Sequence, residues 1–302
     1  MLQITDRIQA LKKEKNAVVL AHTYQSGDIQ DIADFVGDSY GLSVEATKVK
    51  ADVIIFCGVM FMAETAAILN PAKKVIIPEP KAGCPMAEMI NPDDLVSIKQ
   101  KYPDHIVICY VNSTAEIKAL SDICCTSSNA LKIVNQIPKD KGIIFVPDKH
   151  LGSWIEQQSG RTMVLWDGFC PTHVRITPHM ILAAKEQHPH AAVLIHPEAP
   201  KASRNVADKV FSTGGMCDFV KADQGKEYII ATETGIIHTL QKQNPGKKFF
   251  AATDLALCPN MKKTTLEKVL GALDGTGGHL VFVEPAIAEK ARKSLIRMLE
   301  MS

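Results

Sequence analysis

The sequence predicts an α/β protein built from three copies of one unit. Three observations carry that reading. Apolar strand-like runs alternate with helical patterns, the dipeptide Cys-Pro recurs at even spacing, and a series of strand ends recurs in step with it. The strand-like runs are Ala17–Ala21, Val53–Phe56, Val75–Ile77, Ile106–Val111, Ile143–Val146, Met163–Trp166, Ala192–Ile195, Tyr228–Ala231, Phe249–Ala252 and Leu280–Val283. They are apolar without alternation, as in a parallel sheet covered on both faces. Between them, helical patterns cover Ile29–Phe35, Leu42–Lys50, Met62–Leu69, Pro92–Lys101, Thr114–Leu120, Asn129–Gln136, Leu151–Gln157, Pro178–Gln187 and Thr265–Leu273. Several open with Asp, Ser, Thr or Asn and carry Pro in the first turn, which are start signals. Ten strands exceed the eight of a single β/α barrel.

The repeat is read from spacing. Cys-Pro occurs at Cys84-Pro85, Cys170-Pro171 and Cys258-Pro259, 86 and 88 residues apart. Composition alone predicts ~0.4 such pairs. The strand from Ala17 ends at His22, that from Ile106 at Tyr110 and that from Ala192 at His196, 88 and 86 residues apart. Polar residues follow each: Tyr24-Gln25, Asn112-Ser113 and Pro197-Glu198. A unit of about 87 residues, closing on Cys-Pro, divides the chain into 1–85, 86–172 and 173–261. The tail 262–302 mimics the opening of another unit and is expected to pack back on the first.

Composition narrows the function. With 34 Lys and Arg against 33 Asp and Glu, the net charge is +1, which argues against a nucleic-acid or anionic-membrane binder. Apolar residues at 46% and charged residues at 22% are ordinary for a globular chain. The longest apolar stretch, Val53 to Ala63, has 11 residues and is too short to span a bilayer. The expectation is a cytoplasmic protein. Its eight cysteines are then buried spectators, nucleophiles or metal ligands rather than disulfides.

Ligands of open parallel sheets bind beyond the carboxyl ends of the strands. His22, Tyr24, Tyr110, Asn112, His196 and Glu198 lie at such ends. If the units ring an axis, three Cys-Pro loops bring three thiolates together. Three thiolates suit a [4Fe–4S] cluster with one iron open, or zinc with a fourth ligand such as His173. Either metal could act as a Lewis acid. Cys57, Cys109, Cys124, Cys125 and Cys217 read as core, because cysteine is among the most buried residue types. Loops with anion-binding character recur once per unit, at Asp38-Ser39, Thr126-Ser127-Ser128-Asn129 and Ser212-Thr213-Gly214-Gly215. Of ten histidines only His22, His173 and His196 stand at site positions, and Glu198 is a candidate general base, favoured over Glu64 and Glu233.

In order along the chain stand Ala21-His22-Thr23-Tyr24-Gln25, Gly37-Asp38-Ser39, Gly83-Cys84-Pro85-Met86-Ala87 and Tyr110-Val111-Asn112-Ser113-Thr114-Ala115-Glu116. They are followed by Cys125-Thr126-Ser127-Ser128-Asn129-Ala130, Gly168-Phe169-Cys170-Pro171-Thr172-His173, His196-Pro197-Glu198, Ser212-Thr213-Gly214-Gly215-Met216 and Cys258-Pro259-Asn260-Met261-Lys262. Through these motifs essentially the whole chain resembles the quinolinate synthases, iron–sulfur enzymes of NAD biosynthesis. The resemblance implies three α/β/α units docked about a pseudo-threefold axis. It implies a [4Fe–4S] cluster on that axis, held by Cys84, Cys170 and Cys258. It implies condensation of iminoaspartate with dihydroxyacetone phosphate to quinolinate, with loss of phosphate and water, and an aspartate-oxidising enzyme as supplier of iminoaspartate. Glu198 and Tyr110 become acid/base candidates, with His22, Tyr24 and His196 sharing proton transfer. Ser39, Asn112, Ser127 and Thr213 become holders of carboxylate and phosphate, and His173 a substrate contact near the cluster. The rival readings are another hydro-lyase with a three-cysteine cluster, a non-catalytic iron–sulfur sensor, and a structural zinc protein.

Overall fold

Asp34, Asp122 and Asp208 each fasten a crossover back onto the strand it has just left. Their carboxylates accept from the backbone N–H of Val19, Val107 and Val193 at 2.8, 2.8 and 2.7 Å. Their own N–H groups return bonds to the carbonyls of the same three valines. A computed structural model describes residues 3–302 and shows what this repeated hook builds. The first sheet contains β1 (Ala17–His22), β2 (Phe35–Gly37), β3 (Val53–Cys57) and β4 (Lys74–Ile77). The second contains β5 (Ile106–Tyr110), β6 (Ile123–Cys125), β7 (Ile143–Val146) and β8 (Val164–Leu165). The third contains β9 (Ala192–Ile195), β10 (Lys209–Val210), β11 (Glu227–Ala231) and β12 (Lys248–Ala251).

The strand orders are β4-β3-β1-β2, β8-β7-β5-β6 and β12-β11-β9-β10, all parallel. The register repeats as well: Leu20 pairs with Phe35, Ile108 with Ile123 and Leu194 with Lys209. Helices flank the sheets, so the fold is three similar α/β/α units, as the sequence predicts. Each unit opens on a helix, at Ile4–Glu14, Pro92–Lys101 and Pro178–Gln187. The last two begin with a capping Asn91 or Thr177 followed by proline, which satisfies an N–H that would otherwise lack a partner. Among the described residues no helix is long and apolar enough to cross a membrane.

Three strands escape the sequence pattern. β2, β6 and β10 have two or three residues each and lie at a sheet edge, too short for any periodic signal. In consequence Phe35, expected in a helix, begins β2, and that helix stops at Ile32. The expected strand Leu280–Val283 is shorter and lies earlier, as β13 (His279–Leu280), and it runs antiparallel on the free edge of β4. Helix Leu266–Asp274, preceding β13, packs on the first helix, so this part of the tail returns to the first unit. The rest does not. Helix Pro285–Glu300 packs on helix Ala115–Leu120 and on β6, placing Ala291, Leu295 and Met298 in the core of the second unit. Its amphipathic stripe is buried mainly there, and it also packs on helix Met60–Leu69 of the first unit, where Arg292 donates to the Leu69 carbonyl at 3.1 Å.

The units are bolted together by one position used three times. Gln30, Lys118 and Arg204 stand 88 and 86 residues apart, and all three side chains are buried. Gln30 Nε2 donates to the carbonyls of Thr23 (3.0 Å) and Gln25 (2.9 Å) in its own strand-end loop, and to Gly235 (2.9 Å) of the third unit. Lys118 Nζ donates to Ser113 (2.6 Å) in its own loop and to Phe61 (3.3 Å) of the first unit. Arg204 Nη1 donates to Pro197 (3.0 Å) and Ala199 (2.6 Å), and to His150 (3.1 Å) of the second unit. First holds third, second holds first, and third holds second: a head-to-tail contact whose rotation closes into a ring. One apolar cluster also runs across the first and third units, through Leu20, Phe56, Leu194 and Tyr228.

Removing a bolt leaves buried carbonyls without donors. Arg204→Leu is expected to lower unfolding free energy by about 2–4 kcal/mol. Lys201→Leu, at an exposed position of the same short helix, is expected to change it by less than about 0.5 kcal/mol. Urea denaturation of the two variants measures the difference.

Candidate active site

The ring encloses a cavity of about 240 Å³ at the carboxyl ends of the strands. All the residues that the family resemblance implies for the site line it: His22, Tyr24, Ser39, Cys84, Tyr110, Asn112, Ser127, Cys170, His173, His196, Glu198, Thr213 and Cys258. The repeat explains the convergence. His22 and Tyr110 end the first strands of their units, His196 directly follows β9, and Tyr24, Asn112 and Glu198 come two residues later. Ser39 and Thr213 open helices Ser39–Lys48 and Thr213–Ala222, and Ser127 lies in the turn leading to helix Ala130–Gln136.

These helix starts meet one another. Asp38 caps its own helix by accepting from Gly41 N (2.8 Å), and its other oxygen accepts from Ser128 Oγ (2.8 Å) and Gly214 N (3.2 Å). The Ser128 and Ser212 hydroxyls are 2.9 Å apart. The expected anion loops are thus partly committed as caps to one another. Ser39, Ser127 and Thr213 remain on the cavity wall, beside helix N-termini that favour negative charge.

The acid/base groups form one buried network around Glu198. Tyr110 Oη donates to Glu198 Oε1 at 2.5 Å, and His173 Nδ1 lies 2.8 Å from Glu198 Oε2. His173 Nε2 meets Thr232 Oγ1 at 2.8 Å, and that hydroxyl is 2.7 Å from Tyr24 Oη. Tyr24 Oη is also 2.9 Å from Thr213 Oγ1. Burial opposes ionisation of Glu198, but His173, His196 and the Tyr110 phenol outweigh it and hold its carboxyl well below the usual range. Burial, reinforced by the Glu198 charge, raises both phenols well above 10.0, so Tyr24 and Tyr110 stay protonated. Burial lowers His22 to about 4 and His196 to about 3, so both imidazoles are neutral at pH 7. Their tautomer is fixed by the backbone. Tyr24 N donates to His22 Nδ1 (3.1 Å) and Glu198 N to His196 Nδ1 (3.3 Å), leaving Nε2 to carry the proton in each. Asn112 Oδ1 is buried and has no partner among the described residues, an acceptor available to whatever enters.

The donor set suits a metal centre. Three thiols from three units face one cavity, and no disulfide ties them. Burial raises Cys84 to about 12, with the Cys258 and Glu198 charges adding to it, and raises Cys170 well above 9.0, with Glu198 and Cys84 adding. Thiolates here therefore need a cation in their midst, which is the chemistry of a thiolate-bound metal cluster. Cys170, His173 and Glu198 also bring ligand atoms within 4.8 Å of one another. Cys57, Cys109, Cys124 and Cys125 are fully buried in the sheets, and Cys217 is partly buried on a helix, all away from this cavity.

The sequence pattern missed several residues that serve the site. Thr232 links Tyr24 to His173, and Lys262 pairs with Glu233 at 2.9 Å. Asp148 and Glu233 each hold a backbone N–H of the cysteine loops. Thr232 and Asp148 had no motif to betray them, whereas Lys262 closes the third cysteine motif and Glu233 was weighed only as a less favoured base.

The two lowered histidines couple stability to pH. Unfolded, each has an ordinary value near 6.5, so between pH 6.5 and about 4 the unfolded chain binds more protons than the folded one. Stability present above pH 6.5 is lost as pH falls through that window, at a slope approaching about 1.4 kcal/mol per pH unit for each histidine. Urea midpoints should fall from pH 7 to 6 to 5, and His196→Asn, which cannot take up the proton, should flatten the fall.

A family model described as "Quinolinate synthetase A protein" matches residues 6–300. The quinolinate synthase of Caldicellulosiruptor saccharolyticus is 50% identical over 301 residues, covering 99% of both chains. That of Synechocystis is 49% identical, over 98% of this chain and 94% of its own. That of Methanosarcina barkeri is 47% identical, over 98% of this chain and 97% of its own. A match of this extent, on a cavity lined by three thiols and an acid/base network, leaves one conclusion: the chain belongs to the quinolinate synthase family and is an enzyme of NAD biosynthesis.

Proposed function

We propose that the cavity condenses iminoaspartate with dihydroxyacetone phosphate to quinolinate, with loss of phosphate and water. The observation that carries this reading is the meeting of three thiols with the Tyr110–Glu198 pair in one cavity. Cys84, Cys170 and Cys258 would hold a [4Fe–4S] cluster, which supplies Lewis-acid activation of an oxygen leaving group. Carbon–carbon bond formation, isomerisation and closure of the ring through a Schiff base also move protons, and this chain's own side chains divide those transfers. Glu198, ionised, takes a proton from carbon or nitrogen, and Tyr110, protonated and 2.5 Å away, returns one to departing oxygen. His22 and His196 present Nε2–H as donors to substrate oxygens, and Tyr24 orients through Thr213 and Thr232. Ser39, Ser127, Thr213 and the unpartnered Asn112 Oδ1 bind the carboxylates and phosphate. His173 positions Glu198 and contacts the substrate.

In this reading residues 1–85, 86–172 and 173–261 are units that close around the substrates and keep water from reactive intermediates. The unstable imine implies supply by an aspartate-oxidising enzyme. Eight free thiols support a reducing compartment such as the cytoplasm. Neither a nucleic acid nor a membrane is a partner in this scheme.

Anaerobic purification, iron analysis and a quinolinate assay test the proposal. Cys84→Ser, Cys170→Ser and Cys258→Ser should each lose iron and quinolinate formation, whereas Cys57→Ser should keep both. Tyr110→Phe and Glu198→Gln should keep iron and lose about 10²–10⁴ in turnover. An iron-loaded wild type that makes no quinolinate from these substrates would refute the reaction and favour another hydro-lyase.

A further inference from the structure

The cysteine loops are not held alike. In each unit a backbone N–H donates to the carbonyl two residues before the cysteine: Met60 to Ala82 (2.8 Å), Lys149 to Gly168 (2.8 Å) and Thr234 to Ala256 (3.0 Å). The residues just before these donors, Val59, Asp148 and Glu233, are therefore structural equivalents facing the same part of three loops. Asp148 Oδ2 accepts from Cys170 N at 3.2 Å, and Glu233 Oε1 accepts from Cys258 N at 3.1 Å. Val59 can accept nothing. Both carboxylates are fully buried.

Each carboxylate is itself tied down. Asp148 Oδ1 caps helix Lys149–Ser159 by accepting from Leu151 N at 2.7 Å. Glu233 Oε2 accepts from Gly235 N at 2.7 Å, and its Oε1 pairs with Lys262 Nζ at 2.9 Å. Lys262 Nζ in turn donates to the carbonyl of Tyr24. A cysteine that must present its sulfur to a metal gains from a backbone that cannot turn away, and outer partners of this kind change metal retention by 10–100-fold.

We infer that Asp148 and Glu233 are positioning residues that fix Cys170 and Cys258 for metal ligation, while Cys84, opposite Val59, lacks such a clamp. The inference rests on the reading that these cysteines bind a cluster. Asp148→Ser keeps a helix-capping oxygen but is too short to reach Cys170, and Glu233→Asp draws the carboxylate back from Cys258. Asp148→Asn and Glu233→Gln keep an oxygen at full reach.

After anaerobic reconstitution, the release of iron to a chelator and the EPR spectrum of the reduced cluster are compared with the wild type. The shortened variants should release iron at least fivefold faster and show an altered spectrum. The amide variants should stay within twofold of the wild type, a rescue that a general loss of stability would not produce. Shortened variants that load and hold iron as the wild type does would overturn the inference alone. A wild type that takes up no iron would overturn the cluster reading and this inference together.

Discussion

The site depends on a closed ring of units, and the ring depends on long donors reaching buried carbonyls. Gln30, Lys118 and Arg204 each bind the carbonyls of the loop that ends their own first strand, and then one carbonyl of the adjoining unit. Those loops carry His22 and Tyr24, Tyr110 and Asn112, and His196 and Glu198. One interaction thus does two things: it docks the units and sets the height of the cavity wall. Burying the Lys118 ammonium lowers its pKa, a cost offset by two carbonyls and by the nearby Glu64 carboxylate.

Inside the ring, burial sorts protons without help from solvent. It keeps the phenols of Tyr24 and Tyr110 protonated and the imidazoles of His22 and His196 neutral, and it discourages thiolates at Cys84 and Cys170. Glu198 is the exception, held ionised by the donors converging on it. With one stable anion, two neutral histidines and two protonated phenols, the groups around Glu198 offer a base and several acids at pH 7. That is what the proposed condensation and its eliminations would require. No lysine or arginine is hydrogen-bonded to the thiols, and among the described residues only His173 approaches one, with Nδ1 3.1 Å from Cys170 Sγ, so a set of thiolates here suits a bound cation.

The fold was legible where physics leaves a periodic or repeated trace. Continuous apolar runs gave ten strands, and the equal spacing of Cys84, Cys170 and Cys258 gave the units and the convergence of the site. The strands that escaped, β2, β6 and β10, are two or three residues at an edge, with nothing periodic to read. Yet each is announced by an aspartate, Asp34, Asp122 or Asp208, at the same 88- and 86-residue steps. Following that register beyond Cys-Pro would have found them, and the bolts as well. Asp148 and Glu233 lay beyond this method, because the steps from Val59 are 89 and 85 residues. A one-residue slip hides an equivalence that only the hydrogen bonds reveal. Helix Pro285–Glu300 was unreadable for another reason: which unit takes an amphipathic face is decided by the surface it completes, not by its own sequence.

Comparing the three copies separates frame from chemistry. The hook aspartates and the Cys-Pro loops are the same in every unit, since each must do the same geometric task. The positions facing the cavity differ: His, Tyr and His at 22, 110 and 196, then Tyr, Asn and Glu at 24, 112 and 198. A cavity with three identical walls would offer three equal bases and no distinction between acid and base. Divergence at these six places gives a single carboxylate, with a phenol on one side and imidazoles on the other, as unsymmetrical substrates demand. The intermediate case is the bolt, where Gln, Lys and Arg keep one task with three different side chains. There the reach and the donors are what the fold requires, and residue type is free to vary.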